Sequence, residues 1–229
     1  MGIFYIDTEY TNGNFYLGDI FEIACLSDNS GQLYHSYINV GYKLPRYAKS
    51  LCHTTDETIR SSPPFHVVMN NLLEFIKTEQ RDSPVKIIAH GGQYTDYPLI
   101  IANCQKNNYD YSKLNNYEFI DSIKELQQLG YTKPGLDSFA SNRKHSAYDD
   151  VKILRKISNE LLVPQELHGY TLENIEHYMH SKMPVSITDL KQAKTFQYIK
   201  ELIHKLSAEK TALNRKQLGK IARYYYSRK

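Results

Sequence analysis

Five side chains suggest a reaction: Asp7 and Glu9 one residue apart, Asp96 in mid-chain, and His145 five positions ahead of Asp150. Asp7 and Glu9 close the apolar run Gly2-Ile3-Phe4-Tyr5-Ile6, and the alternation of a strand sends both carboxylates to one face. Carboxylates held side by side repel, and divalent cations relieve that repulsion. Cations so placed suit phosphodiester cleavage, because negative charge builds on the attacking and leaving oxygens together. The donors are hard oxygens, which favours Mg²⁺ or Mn²⁺ over zinc. Cys25, Cys52 and Cys104 are widely spaced with no Cys-x-x-Cys, so neither a zinc ribbon nor a disulfide framework is indicated. A neutral imidazole, with an ordinary pKa near ~6.5, accepts a proton close to neutral pH, so His145 has the chemistry of a general base.

Taken singly, these residues have plain alternatives. Asp-x-Glu at a strand end is usually a solvated turn, and a lone histidine is usually a surface or capping group. Asp149 competes with Asp150 for a ligand role. On a helix Asp150 shares a stripe with Ile153, Leu154 and Ile157, which must face a sheet, whereas Asp149 is turned about 100° away. The metal role therefore goes to Asp150. His90 reads as support for a strand end, and Asp121 and Asp137 as caps or groups behind the ligands.

Alternating elements must hold these groups. Residues 3–10, 19–26 and 32–40 read as consecutive strands separated by Asn-Gly and Asn-Ser-Gly turn signals, an antiparallel meander. Pro63-Pro64 opens a helical pattern through Val67, Val68, Leu72, Phe75 and Ile76, and residues 85–89 form the short apolar run of a buried parallel strand. A helix over 97–106, a strand over 117–120, and helices over 122–129 and 147–162 complete an α/β domain spanning residues 1–163. Residues 164–229 read as an all-α extension with helices over 172–178, 188–206 and 214–226. The chain has 229 residues, 41% of them hydrophobic, which is enough for a core; its net charge of +3 is a weak pointer to a polyanionic partner. No stretch approaches the roughly 20 apolar residues of a membrane span. With the cysteine usage, this points to an intracellular protein, cytoplasmic or nuclear, with no membrane partner.

Together the motifs resemble the DEDDh exonuclease family over about two-thirds of the chain. Phe4-Tyr5-Ile6-Asp7-Thr8-Glu9 is similar to its first motif, and Cys52-His53-Thr54-Thr55 before Pro63-Pro64-Phe65 to its His-Gly-Ile-Thr stretch. Ile88-Ala89-His90-Gly91-Gly92-Gln93-Tyr94-Thr95-Asp96 resembles the second motif, Phe119-Ile120-Asp121-Ser122 the following strand, and Leu136-Asp137-Ser138-Phe139-Ala140 the short helix before the last motif. His145-Ser146-Ala147-Tyr148-Asp149-Asp150 resembles the His-x-x-x-x-Asp ending; the sister class has tyrosine where Ser146 stands, so the histidine version is indicated. The resemblance implies an RNase H-like mixed five-stranded sheet flanked by helices. It also implies 3′→5′ hydrolysis of DNA or RNA with a free 3′ end, on single strands, to nucleoside 5′-monophosphates. Asp7 would bridge two Mg²⁺ or Mn²⁺ ions, Glu9 and Asp150 would complete the tighter site, Asp96 would hold the second, and His145 would serve as base. Thr8, Tyr10, His90, Tyr94 and Arg223 are the expected substrate contacts.

Two departures open another reading. The family commonly has Asn where Gly91 stands and an aromatic where Thr95 stands, and the segment 141–144 before His145 is brief. A nucleic-acid-binding scaffold with weak or lost turnover would tolerate both. Towards the end of the chain Lys210, Arg215, Lys216, Lys220, Arg223, Arg228 and Lys229 are interleaved with Tyr224-Tyr225-Tyr226, a composition suited to phosphate contact and base stacking or simply to a solvated helix.

Overall fold

The apolar run before Asp7 forms β1 (Gly2–Tyr10), the central strand of a sheet. β2 (Ile20–Ser27) pairs antiparallel with β1, and β3 (Leu33–Tyr37) antiparallel with β2. On its other side β1 runs parallel to β4 (Val85–Ala89), which runs parallel to β5 (Tyr117–Asp121). The five-stranded sheet is therefore mixed, ordered β3-β2-β1-β4-β5, and the fold is the RNase H-like one. The computed structural model describes residues 1–80, 83–140 and 145–182. The helices expected over 188–206 and 214–226, with Arg223 and the basic tyrosine-rich run, lie outside the described residues.

β4 lies between β1 and β5 with helices over both of its faces, which is why all five of its residues are buried and its sequence does not alternate. Even Lys86 is buried there; its ammonium donates to the backbone carbonyls of Gln165 and Leu167, which satisfies it. The helices are α1 (Arg46–Leu51), α2 (Asp56–Ser61), α3 (Phe65–Gln80), α4 (Asp96–Lys106), α5 (Ser122–Gln128), α6 (Ala147–Leu161) and α7 (Leu172–Lys182). Most match the sequence pattern to within a residue or two. α1 and α2 do not appear in it, because six residues are too few to display a helical period. The third strand, expected to residue 40, ends its regular ladder at Tyr37, and Asn39 then makes an isolated bridge to Pro64.

Alternation along the strands divides the core in two. Phe4, Ile6, Ile23, Cys25 and Ile87 face α3 and α4, while Ile3, Tyr5, Ala24, Leu26 and Ile88 face α6 through Val151, Leu154 and Ile157. A third cluster, with Phe21, Leu44, Ala48, Cys52 and Ile59, fastens α1 and α2 beside β2. Packing continues across residues 163–164 without a break. Leu172, Ile175 and Met179 of α7 join the α3/α4 core. Tyr170 exchanges both backbone hydrogen bonds with Phe119 of β5, at 2.9 and 2.7 Å. The neighbouring Gly169 is required there, since a Cβ would stand 2.1 Å from the Phe119 carbonyl oxygen. Among the described residues no helix is long and apolar enough to cross a membrane.

Candidate active site

β1 delivers Asp7 and Glu9 to the face that α6 covers, because they continue the alternation of Ile3 and Tyr5. α6 begins after Ser146, whose extended backbone leaves its carbonyl to accept from the Asp149 and Asp150 amides at 3.0 and 2.9 Å. Asp150 is fully buried toward the sheet and Asp149 is only half-buried, as the helical stripe requires. One carboxylate oxygen from each of Asp7, Glu9 and Asp150 lies within 4.8 Å of the others.

Asp96 arrives from the other side of the sheet. It opens α4, is buried, and its Oδ1 accepts from the Thr8 amide at 3.0 Å and the Thr8 hydroxyl at 2.7 Å. The residue between Asp7 and Glu9 thus fixes the fourth carboxylate against the same strand. The loop that presents Asp96 is held by Asp121, whose carboxylate accepts from the amides of Gly91, Gln93 and Ile123 while capping α5. Gly91 has φ 78°, the left-handed region that glycine and asparagine tolerate best, which accounts for its standing where asparagine is common. His53 likewise holds φ 50° where the related stretch has glycine.

Burial pushes the Glu9 carboxyl up to about 7; a Cys52 side-chain hydrogen bond opposes this, and the charges of Glu22, Asp150 and Asp96 add to it. Burial also raises Asp96, against the two Thr8 hydrogen bonds. Tyr10 is driven to about 12 by burial and then by Asp96, Glu9 and Asp7. Crowded, partly desolvated carboxylates of this kind are the donor set a divalent cation stabilises, so the residues fit Mg²⁺ or Mn²⁺.

The exonuclease family model, RNase T by name, matches residues 4–158. The chain belongs to this exonuclease family. The chain shares its fold with a full-length 3′-exonuclease, at 18% identity and TM-score 0.58, over 70% of this chain and 60% of that one. It also resembles the nuclease domain of 3′hExo, a DEDDh family member solved with rAMP bound, at 17% identity and TM-score 0.59, over 70% and 90%. Cell-death related nuclease 4 is similar at 13% identity and TM-score 0.55, over 70% and 64%. The chain thus spans less than two-thirds of the full-length 3′-exonuclease it matches. No curated protein matches significantly.

Within the chain, Asp7, Glu9 and Asp150 are brought together, and Asp96 is tied to them through Thr8. His145 is half-buried immediately ahead of the α6 cap and is not part of the carboxylate trio. Thr8, expected at the substrate, is buried and gives both its amide and its hydroxyl to Asp96. His90 is directed to the Ser122 hydroxyl at 2.9 Å and braces the ends of β4 and β5. Tyr10 is half-buried beside the acids, whereas Tyr94 is 50% exposed. Sequence reasoning missed two neighbours. Glu22, opposite Glu9 in the β1/β2 register, is fully buried and its Oε1 accepts from the Ser146 hydroxyl at 3.2 Å and lies 2.9 Å from His35 Nε2. A charge inside the run Ile20-Phe21-Glu22-Ile23 was the available signal. Cys52, read only as a small hydrophobe, lies beside Glu9 and favours its ionised form; nothing in its spacing announces that.

Proposed function

We propose that this exonuclease removes nucleotides one at a time from a free 3′ end, on single-stranded DNA or RNA, releasing nucleoside 5′-monophosphates with two Mg²⁺ or Mn²⁺ ions. The carrying observation is the carboxylate trio within 4.8 Å, adjoined by Asp96 through Thr8. Asp7, the member of the trio next in sequence to the Thr8 that holds Asp96, is the residue both ions would share; Glu9 and Asp150 would complete one site and Asp96 the other. Cations there would supply positive charge to the attacking and leaving oxygens of the phosphodiester. His145, beside the α6 cap, takes the proton of the attacking water, and its half-burial leaves the imidazole reachable from solvent. Asp121 and Glu22 hold the loop of Asp96 and the cap of α6 in register with β1. The likeness to solved 3′-exonucleases, one with rAMP bound, supports the polarity and the monophosphate product.

The test is digestion of 3′- and 5′-labelled single-stranded DNA and RNA in Mg²⁺, Mn²⁺ or chelator. A 3′ label should appear at once as a mononucleotide, a 5′ label should give a descending ladder, and chelator should stop both. Asp7→Asn should cost at least about 10³-fold in rate with the fold intact, because it weakens the hold on both cations. Near-normal cleavage by folded Asp7→Asn protein, or internal cuts that ignore the 3′ end, would overturn the proposal.

A further inference from the structure

Tyr94, two residues ahead of Asp96 and half exposed, stands in a series of alternating rings and ammonium groups. Lys182 Nζ lies 5.3 Å from the centre of the Tyr178 ring, and that ring meets Tyr94 edge-on at 5.2 Å and 68°. Lys124 Nζ lies 5.4 Å from the Tyr94 ring and 4.9 Å from that of Tyr170, and it donates to the Tyr170 hydroxyl. Three parts of the chain contribute: the loop before α4, the first turns of α5, and the segment from Tyr170 through α7. Tyr94 and Lys124 lie within the residues matched by the family model, whereas Tyr170, Tyr178 and Lys182 fall beyond them, so the shared domain supplies only part of this surface.

Internal packing leaves part of this surface open: Tyr170 and Tyr178 rest on one side against the α3/α4 core, while Tyr94 is half exposed. α7 buries Leu172, Ile175 and Met179 against the core; Tyr178 is half-buried and Lys182 is exposed. The catalytic carboxylates repel phosphates, so a strand whose 3′ end enters the acidic site needs positive charge beside that site. Rings stack on bases of any sequence, and lysines pair with phosphates.

We propose that this ladder docks the single strand trailing away from the acidic site, with bases against Tyr94 and Tyr178 and phosphates against Lys124 and Lys182. The strand's identity rests on the exonuclease reading above; the surface itself rests on its own geometry. The test is the double variant Tyr178→Ala/Lys182→Ala, with Lys124→Gln as a second, and thermal melting to establish that both fold. Binding is read by fluorescence anisotropy in chelator, with oligonucleotides of about 12 nucleotides, within the usual reach of one single-strand platform. Both variants should bind at least about 5-fold more weakly, since one lost stacking contact or phosphate partner amounts to that or more. The salt dependence should become shallower by roughly one phosphate contact per lysine removed. Dinucleotide cleavage in Mg²⁺ by the double variant should match the parent, because Tyr178 and Lys182 lie outside the carboxylate site. Unchanged affinity and salt dependence overturn the surface and leave the exonuclease reading standing. If the parent protein does not cleave the dinucleotide while the variants still lose affinity, the exonuclease reading fails and the surface stands. Dinucleotide cleavage that falls in step with binding makes α7 a structural brace, which also overturns the surface.

Discussion

Removing divalent cations should make the fold sensitive to pH through Glu9, whose carboxyl is held at about 7 instead of its ordinary 4.5. The folded state binds this proton more tightly than the unfolded chain does. Its stabilising contribution is therefore complete below about 4.5 and disappears as pH rises through about 7. At about 1.4 kcal/mol per pH unit over that interval, the loss is on the order of 3 kcal/mol. For a domain of this size that corresponds to roughly 6–12 °C in Tm. Asp96, also raised by burial, acts in the same direction. Differential scanning calorimetry of chelator-dialysed protein at about pH 5 and about pH 8 reads the effect. Glu9→Gln, which cannot ionise, should flatten the difference, and Mn²⁺ should raise Tm more at the higher pH, where the carboxylates are free of protons. If the parent and Glu9→Gln proteins show the same dependence on pH, the electrostatic account of this site is wrong.

Three other outcomes follow from the same geometry. His145→Ala should lose about 10²–10⁴-fold in turnover while keeping Mn²⁺ affinity by calorimetry, since it lies outside the carboxylate trio; a loss of affinity equal to that of Asp150→Asn would make it a ligand. Thr8→Val removes the 2.7 Å hydroxyl bond to Asp96 and should destabilise the protein by about 1–3 kcal/mol in denaturant titration; an unchanged midpoint would refute it. Gly92→Ala would place a Cβ 2.6 Å from that of Ala89 and 2.8 Å from the Tyr97 ring, so it should cost about 1–3 kcal/mol and lower activity by shifting the loop that carries Asp96. Parent-like melting and rate would show that this loop has slack.

How far the sequence reveals this molecule depends on the range over which each signal acts. β1 and α6 are legible because alternation and a helical stripe repeat along each element, and the same stripe separates Asp150 from Asp149. Buried β4 is legible as an uninterrupted apolar run. The contacts that complete the site are not local: Thr8 meets Asp96, Glu22 meets Ser146, and Cys52 meets Glu9 only once the sheet has formed. Composition at any one of these positions carries no trace of its partner. α1 and α2 are missed because they are single short turns, and the start of α7 was placed correctly while its role in covering the core was not.

The bridge between Phe119 and Tyr170 bears on where the protein can be cut. β5 is an edge strand, and a bare edge offers its amides and carbonyls to any passing chain. Here Tyr170 takes up both groups of Phe119, the Tyr16 hydroxyl donates to the Met179 carbonyl at 2.9 Å, and α7 seals the apolar surface between. A fragment ended at residue 158, where the family match stops, would keep every proposed catalytic side chain and still expose the edge of β5 and an open patch of core. Residues 159–182, an appendage by descent, thus cover a strand edge and a core surface that the matched region alone would leave open to other chains.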